Sequence, residues 1–479
     1  MKKSMHLIVI LFFLYSTASS QSCLPEGIIF GTQSEIDNFQ INYPGCTEIE
    51  GSVQINGLQI VNLNGLDVLT SVGGDMILDL TQIVNMSGLD ALTSVGGDLL
   101  SKQNGRLKTL TGLENLAFIG GTLDFYYNDS LTNLDALSSL TYIGDALSIW
   151  RCDSLQSITG LENLSVIGKN LDIWWNRDLA SLDGLENLDS VGGDIDITLN
   201  EVLSDISSIG HLNLLDGGLT IWNNDSLSSF SGLENITSIT GYLVILGNDG
   251  ITDLTGLDNL TSVGGSVSIG GPQFGGNSLA NLSGLGSLKS IGGSLYICRN
   301  PNLTSLDALI DLHSIGGDLY IYKNNALTTL SGLDNIAEQT IDSLTILDNN
   351  VLSACSILSI CEYLISPNGT IDIQENAVGC NNQQEVEAAC GVGLDESSTS
   401  ENQYYIFPNP SSTQITIETT TIPQKNTFLT IFNINGQQLL TRQITEPKTH
   451  IDINNLPRGV YFIRLTNDRM VEVGKVVKQ

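Results

Sequence analysis

Basic residues are scarce in this chain of 479 residues, where 19 Lys and Arg stand against 52 Asp and Glu for a net charge of −33. A nucleic-acid-binding protein needs clustered cations to neutralise phosphates, so this balance excludes nucleic acid as a partner. It equally disfavours binding to anionic lipid headgroups. Proline (10 residues) and aromatic residues (6%) are also few, whereas a hydrophobic fraction of 41% is too high for a disordered chain. The core must therefore consist mainly of aliphatic side chains.

Long apolar segments are missing after residue 20, so the sequence offers no membrane-spanning segment and predicts no integral membrane protein. Residues 1–20 begin with Lys2 and Lys3, continue with an apolar run from Leu7 to Tyr15 and end in small residues. This pattern predicts a secretory signal peptide with cleavage after Ser20.

Histidine is rare as well, with four residues, and no H-x-x-x-H or C-x-x-C spacing occurs. The sequence therefore predicts neither a transition-metal site nor a cofactor. Gly-Gly-Asp recurs at 73–75, 96–98, 192–194 and 316–318, which leaves calcium as an alternative. We interpret these triplets as turns, because each Asp follows glycines that a tight turn requires.

Eight cysteines in a secreted chain indicate disulfide bonds. Six of them flank the central region in two groups, namely Cys23, Cys46, Cys355, Cys361, Cys380 and Cys390. Cys23 and Cys46 are the expected pair at one end, while the other four allow three pairings. Cys152 and Cys298 are left over, and the repeat described next places them about 29 Å apart, too far for a bond.

A repeat of 24 residues runs from about residue 50 to residue 350. One apolar position recurs at Leu66, Leu89, Leu113, Leu137, Leu161, Leu185, Ile209, Leu233, Leu257, Leu285, Leu309 and Leu333. The one long interval contains an insertion, Gly-Gly-Pro-Gln-Phe-Gly-Gly at 270–276. Within each repeat, short alternating apolar runs are broken by Gly-Gly or Asn, which predicts strands and turns without a helix. We expect twelve stacked parallel coils, an all-β solenoid.

A second recurring position carries asparagine at the turn that follows each predicted strand. Its members are Asn104, Asn128, Asn176, Asn200, Asn224, Asn248, Asn300 and Asn324. Inward amides at such a position bridge turn backbone groups of adjoining coils. Cys152 takes this position in one coil, so we expect it to be a buried free thiol.

The repeat unit G-L-x-x-L-x-S-V-G-G-D-L-x-I-x-x-N resembles that of receptor L domains, which are related to leucine-rich repeats. The resemblance covers about residues 23–392 and implies a right-handed parallel β-helix. It implies no particular ligand, because members of that family bind different partners. We therefore assign 21–48 to an N-terminal cap, 49–350 to L-domain-like coils and 351–392 to a cysteine-rich C-terminal cap.

The last segment differs in charge and in pattern. Residues 393–403 are a polar linker, and residues 404–479 hold 5 acids against 8 bases. Strand-like runs lie at 414–418, 428–434, 438–444 and 459–466, with Asn435-Gly436 as a hairpin signal between two of them. The pattern predicts a small antiparallel β-sandwich.

This segment resembles the type A sorting domain of the type IX secretion system. The resemblance rests on Phe-Pro-Asn-Pro at 407–410, Asn435-Gly436, Leu-Pro-Arg-Gly-Val-Tyr-Phe at 456–462 and the closing Lys-Val-Val-Lys at 475–478. It implies a bacterium of the Bacteroidetes type and the type IX secretion machinery as a partner. In that family the domain is removed, and the cargo is then released or attached to the outer-membrane surface.

The few aromatic residues gather on one outward row of the repeats. The row reads Tyr126, Trp150, Trp174, Thr198, Trp222 and Leu246, then Cys298 and Tyr322 beyond the insertion. Tyr127 and Trp175 adjoin it, and Asp124, Asp172 and Asp196 stand two residues before three of its members. We take Tyr126, Trp150, Trp174 and Trp222 with these three acids as the candidate binding site.

Aromatic rings one coil apart and edged by carboxylates suit the stacking of pyranose rings and hydrogen bonding to their hydroxyls. The same row suits a protein partner, because Trp and Tyr favour interfaces, or it is a ladder that only stabilises neighbouring coils. Asp172 and Asp196 are the best carboxylate pair for cleaving a polysaccharide, but no long loops form a cleft over them. We predict a secreted or cell-surface, non-enzymatic binding or adhesion protein whose ligand is an extracellular glycan or protein.

Overall fold

The computed structural model describes residues 22–273, 275–391, 404–419, 427–434, 437–466 and 471–479. Two compact units divide the chain, Met1–Gly393 and Leu394–Gln479. The predicted signal peptide, the linker at 393–403 and the hairpin turn at 435–436 lie outside the described residues. No helix in the described ranges is long and apolar enough to cross a bilayer.

The first unit is a parallel β-solenoid of about 15 turns. Its main sheet contains, in spatial order, Ile28–Phe30, Val53–Asn56, Met76–Asp79, Leu99–Lys102, Leu123–Tyr126, Leu147–Trp150, Leu171–Trp174, Ile195–Thr198, Leu219–Trp222, Leu243–Leu246, Val267–Ile269, Leu295–Cys298, Leu319–Tyr322, Leu344–Leu347 and Ile371–Gln374. Neighbouring strands are parallel and pair in register, as when Leu147 pairs with Leu171. At about 4.8 Å per strand the sheet is roughly 70 Å long.

The twelve coils counted from the leucine repeat are therefore too few. The sheet also includes Ile28–Phe30, Leu344–Leu347 and Ile371–Gln374, which lie before or after the leucine-marked coils. These strands belong to coils that lack the recurring motif but still offer two inward apolar positions. The solenoid thus continues into both predicted caps.

Two further sheets of two-residue strands form another side of the coil. One contains Ser22–Cys23, Glu48–Ile49, Ser71–Val72, Ser94–Val95, Phe118–Ile119, Tyr142–Ile143, Val166–Ile167 and Ser190–Val191; the other contains Leu214–Leu215, Ser238–Ile239, Ser262–Val263, Ser290–Ile291 and Ser314–Ile315. Single 3₁₀ turns occur at Asn64–Leu66, Asp135–Leu137, Thr159–Leu161, Ser207–Ile209, Asp307–Leu309 and Glu338–Thr340. Glycine is required where coils touch: a Cβ on Gly184, whose φ is +116°, would lie 2.2 Å from the carbonyl oxygen of Ile158.

One apolar core runs through the solenoid, built mainly from the inward residues of each strand and the recurring leucines. In the strand Leu123–Tyr126, Leu123 and Phe125 are buried while Asp124 and Tyr126 are half-buried on the outer side. Burying each such side chain contributes about 1.5–3 kcal/mol. The predicted inward and outward alternation is therefore present in the strands that carry the candidate site.

The asparagine ladder ties the coils together through buried amides. Asn200 Oδ1 accepts a hydrogen bond from the backbone N–H of Asn176 at 3.0 Å, and Asn200 Nδ2 donates to the carbonyl of Ile173 at 2.8 Å. The ladder is longer than the sequence suggested and includes Asn277, Asn349 and Asn376. Because these amides are fully paired inside the core, they fix the register of successive coils.

Both ends of the solenoid carry short helices and disulfides. The first end has helices Gln33–Asp37 and Phe39–Asn42 and the Cys23–Cys46 bond; the other has helices Leu358–Ile365 and Gln383–Cys390. Cys355 pairs with Cys380 and Cys361 with Cys390, which selects one of the three pairings left open by the sequence. Cys152 and Cys298 are free and buried.

The second unit contains two antiparallel sheets that share one core. The first sheet consists of Tyr404–Phe407, Gln414–Thr419 and Lys448–Asp452; the second consists of Gln438–Gln443, Phe428–Asn433, Gly459–Thr466 and Val471–Lys478. Ile415 and Ile417 of the first sheet are buried in the same cluster as Leu429, Ile431 and Ile463 of the second. The four strands predicted from the sequence are present, and three more strands complete the sheets.

Candidate functional site

Strand register brings the aromatic row together. Tyr126 pairs with Trp150, Trp150 with Trp174, Trp174 with Thr198, and Thr198 with Trp222. Because each pair is one strand spacing apart, outward side chains at this position meet their neighbours directly. The parallel in-register sheet therefore turns a 24-residue spacing in sequence into one contact row.

The first three members of the row stack on one another. The ring centroids of Tyr126 and Trp150 are 4.9 Å apart and those of Trp150 and Trp174 are 5.6 Å apart. The interplanar angles are 72° and 70°, so each contact is edge to face. Such contacts add about 0.5–1.5 kcal/mol each beyond the apolar area that they bury. All three side chains remain half-buried, with part of each ring facing solvent.

A second layer lies at the corner that follows these strands. The guanidinium of Arg151 lies over the ring of Tyr127 at 4.5 Å and over that of Trp175 at 4.8 Å, and it donates to the Tyr127 hydroxyl at 2.5 Å. All three residues have φ near +55°, the left-handed geometry of the corner. We call Tyr126, Tyr127, Trp150, Trp174, Trp175 and Arg151 the aromatic surface.

Trp222 is separate from the aromatic surface. Thr198 stands between Trp174 and Trp222, and its side chain is only 5% exposed. Trp222 Nε1 faces the insertion, where a Cβ on Gly275 would lie 3.5 Å away. The structure thus joins three of the four predicted aromatic site residues and leaves the fourth beside the insertion.

The indole N–H groups of three tryptophans are buried rather than presented to solvent. Nε1 of Trp150, Trp174 and Trp222 is buried, and none of the three has a hydrogen-bond partner among the described residues. Burial raises the pKa of Asp196, and the nearby Trp174 indole partly offsets this effect, although the two groups do not meet hydrogen-bond geometry. The tryptophans therefore offer ring surface rather than donors to a ligand.

The three predicted carboxylates lie beside this surface, each two residues before a member of the aromatic row on the same strand. Burial raises the pKa of Asp124 and of Asp196, and the Thr198 hydroxyl donates to Asp196. The pKa of Asp172 is raised to about 6. Burial is the largest cause, and the negative charges of the nearby Asp196, Asp194 and Asp124 add to it. The Asp172 carboxyl accepts no hydrogen bond from the described residues.

The Gly-Gly-Asp triplets serve turns, as the sequence suggested. Asp75 Oδ1 accepts from the backbone N–H of Asp98 at 2.9 Å, and Asp98 Oδ1 accepts from that of Thr122 at 2.7 Å. Asp194 Oδ1 accepts from Gly218 in the same way at 2.6 Å. No group of three or more metal-binding side chains occurs within the described ranges.

Cys298 pairs with the outward Tyr322, but its side chain is fully buried. It does not belong to the apolar core cluster of the solenoid, and glycines of the insertion pack against the backbone of Cys298 and Arg299. A Cβ on Gly270 would lie 1.8 Å from the carbonyl oxygen of Cys298, so only glycine fits there. Beyond the insertion the outward positions hold Tyr296, Tyr320 and Tyr322, a second cluster that the sequence analysis did not single out. The sequence signal for this cluster was the pair of tyrosines at the alternating positions 320 and 322 of one strand.

The described geometry defines a β-solenoid with an aromatic outer row, followed by an antiparallel β-domain. Residues 405–479 match the model of the family described as a secretion system C-terminal sorting domain. The chain therefore carries a type IX sorting tail, which supports export by the type IX secretion system and a secreted or cell-surface location. No curated protein matches the chain.

Proposed function

We propose that this protein is a non-enzymatic binding protein that recognises a glycan through the aromatic surface and Asp124, Asp172 and Asp196. The observation that carries the proposal is the Asp172 carboxyl, which is partly exposed beside half-buried aromatic rings and receives no hydrogen bond from the described residues. A sugar offers both an apolar ring face for Trp and hydroxyl donors for such a carboxylate.

The rigid coil favours this mode of binding. Trp150 packs between the rings of Tyr126 and Trp174 in the two neighbouring coils, so its side chain loses little freedom when a ligand binds. The surface spans three coils, which is about 10 Å between the outer strands. That length suits two consecutive sugar rings with weak contacts to each.

The remaining features fit a surface protein of a Bacteroidetes-type bacterium. The repeats resemble those of receptor L domains, a family whose members bind different partners. The sorting tail directs export, after which the solenoid is released or attached to the outer-membrane surface. In this proposal the tail serves delivery and the solenoid serves recognition.

A glycan array probed with the purified protein, without its predicted signal peptide, tests the proposal. A saccharide bound by the wild type should lose at least about tenfold in affinity in the Trp150→Ala/Trp174→Ala variant. The matched control is Phe118→Ala/Tyr142→Ala, which removes a stacked ring pair of the same coil spacing from the short-stranded sheet, where the centroids are 5.3 Å apart.

Equal loss in both variants, or no saccharide bound at all, would overturn the glycan proposal. In the second case a protein partner becomes the better candidate, because stacked Trp and Tyr also favour protein interfaces. Capture experiments with neighbouring or host cell surfaces, again comparing the two double variants, would then identify it.

Polysaccharide cleavage is the second candidate function, and one observation favours it. Asp172 has a pKa of about 6 and pairs directly with Asp196 on the next strand, so one carboxyl is predisposed to hold a proton beside an ionised neighbour. Release of new reducing ends from a bound polysaccharide by the wild type, but not by Asp172→Asn, would support cleavage over binding alone.

A further inference from the structure

The second aromatic cluster lies on two strands beyond the insertion. Tyr296 is on Leu295–Cys298, and Tyr320 and Tyr322 are on Leu319–Tyr322. The ring centroids of Tyr296 and Tyr320 are 5.9 Å apart, and those of Tyr320 and Tyr322 are 6.0 Å apart. Burial raises the pKa of Tyr320, so this phenol stays protonated and able to donate.

Two cations follow these strands at the left-handed corner. Arg299 and Lys323 have φ of 55° and 56°, and both lie over the ring of Tyr322, at 5.3 and 5.0 Å. Lys323 pairs with Asp348 at 3.2 Å, whereas no acid among the described residues lies within 4 Å of Arg299. We call Tyr296, Tyr320, Tyr322, Arg299 and Lys323 the tyrosine surface.

The insertion fixes Arg299 in place. Arg299 Nε donates to the carbonyl of Pro272 at 3.1 Å, and a Cβ on Gly276 would lie 2.0 Å from the carbonyl oxygen of Arg299. The insertion backbone therefore packs directly against the corner from which Arg299 extends. With Nε occupied, the two terminal nitrogens of the guanidinium donate to no acceptor among the described residues.

Charge separates the tyrosine surface from the aromatic surface. Residues 21–403 carry 47 acids and only 9 bases, and two of those bases adjoin one tyrosine ring here. Asp124, Asp172 and Asp196 border the aromatic surface and disfavour an anionic ligand there. The field of the acidic rod is screened beyond about 8 Å at physiological salt, so nearby charges matter most. These are Arg299, the Lys323–Asp348 pair and Asp372, which is near enough to Tyr320 to contribute to its raised pKa.

We propose that the tyrosine surface is a second binding site, which takes an acidic saccharide through Arg299 and the three tyrosines. The guanidinium binds the carboxylate or sulfate group of the sugar through its terminal nitrogens, and the tyrosines supply ring surface and hydroxyl donors. The site does not depend on the function proposed for the aromatic surface, since it shares no residue with it.

Isothermal titration of the purified protein with trigalacturonate, a sulfated disaccharide and the neutral galactose trisaccharide tests this site. Trigalacturonate or the sulfated sugar should bind, and Arg299→Gln should weaken that binding at least about tenfold. Which of the two sugars binds identifies the anionic group that the site takes.

The matched control is Arg151→Gln, which removes the arginine at the same corner position of the aromatic surface and should leave this binding unchanged. A Tyr322→Ala variant should also weaken it, with the thermal midpoint measured to confirm folding.

Failure of both acidic sugars to bind would overturn the site, and so would equal weakening by Arg299→Gln and Arg151→Gln. Binding of the neutral trisaccharide that Arg299→Gln weakens as much as it weakens binding of the acidic sugar would likewise contradict the role of the Arg299 charge. None of these results bears on the glycan proposed for the aromatic surface, because that proposal is tested with Trp150 and Trp174.

Discussion

Cys152 donates its backbone N–H to Oδ1 of Asn176, 3.0 Å away in the next coil. Its own side chain occupies the position that asparagine takes in the neighbouring coils. The thiol donates to the carbonyl of Phe125 at 3.7 Å and faces the backbone N–H of Asn128, the two groups that an amide would bind there. A cysteine thus replaces an asparagine in the ladder with weaker bonds.

We therefore expect Cys152→Asn to stabilise the solenoid. An amide in this position restores two full hydrogen bonds in a buried site, which should raise the free energy of unfolding by about 1 kcal/mol. Denaturant unfolding monitored by circular dichroism measures the change.

The contrasting variant is Asn176→Ala, which leaves the N–H of Cys152 and the carbonyl of Ile149 without partners. It should lower the free energy of unfolding by about 2–4 kcal/mol. A Cys152→Asn protein less stable than the wild type would show that the ladder at this coil has no room for an amide.

The solenoid itself was predictable because each coil repeats the same local chemistry. The spacing of Leu137, Leu161 and Leu185 predicted the coil, and the asparagines predicted its buried hydrogen bonds. Tyr127, Arg151 and Trp175 are also 24 residues apart, so their contact in neighbouring coils could have been predicted from the sequence. It was missed because corner residues were considered only as neighbours of the strand row.

Other features depend on contacts that the repeat does not encode. The alternation rule placed Cys298 outward, but it assumes an open face, and the insertion closes the face at that point. The cap helices Gln33–Asp37 and Phe39–Asn42 are too short to show a helical period. The pairing of Cys355 with Cys380 depends on how the last coil ends, which no spacing fixes.

Peptide mapping without reduction should recover the bonds Cys355–Cys380 and Cys361–Cys390 at the C-terminal end of the solenoid and Cys23–Cys46 at the other end. Any Cys355–Cys361 or Cys355–Cys390 peptide would contradict the described pairing. Replacing Cys355 and Cys380 together by Ala should lower the free energy of unfolding by about 2–4 kcal/mol.

Cys152 and Cys298 should react with a thiol reagent only after unfolding, because both are buried and burial raises the pKa of each to about 12.

Asp172 should make stability depend on pH between about 4 and 6. Its pKa is raised to about 6, so the folded protein holds a proton that the unfolded chain releases at lower pH. The free energy of unfolding therefore falls as the pH rises through this window. Above the window the ionised, partly buried carboxylate lowers the free energy of unfolding by a constant amount. Asp172→Asn removes the penalty and should raise the free energy of unfolding at pH 7.5 by on the order of 1 kcal/mol, a value reduced for partial exposure.

Thermal midpoints of both proteins at pH 4 and pH 7.5 measure this difference, which should vanish at the lower pH. The exposed Asp311→Asn variant controls for the change in net charge. A benefit of Asp172→Asn that is the same at both pH values would mean that burial of the carboxyl, rather than its ionisation, is the cause.

Trp222 should contribute little to binding at the aromatic surface. Thr198 is buried between it and Trp174, so a ligand on Trp150 and Trp174 would have to cross a coil without an aromatic ring. Titration of Trp222→Ala with the saccharide found on the array should show affinity within about twofold of the wild type. Trp174→Ala should lose about tenfold, because one stacking ring accounts for up to about 1.5 kcal/mol. Equal losses at both positions would instead extend the binding surface across Thr198 as far as the insertion.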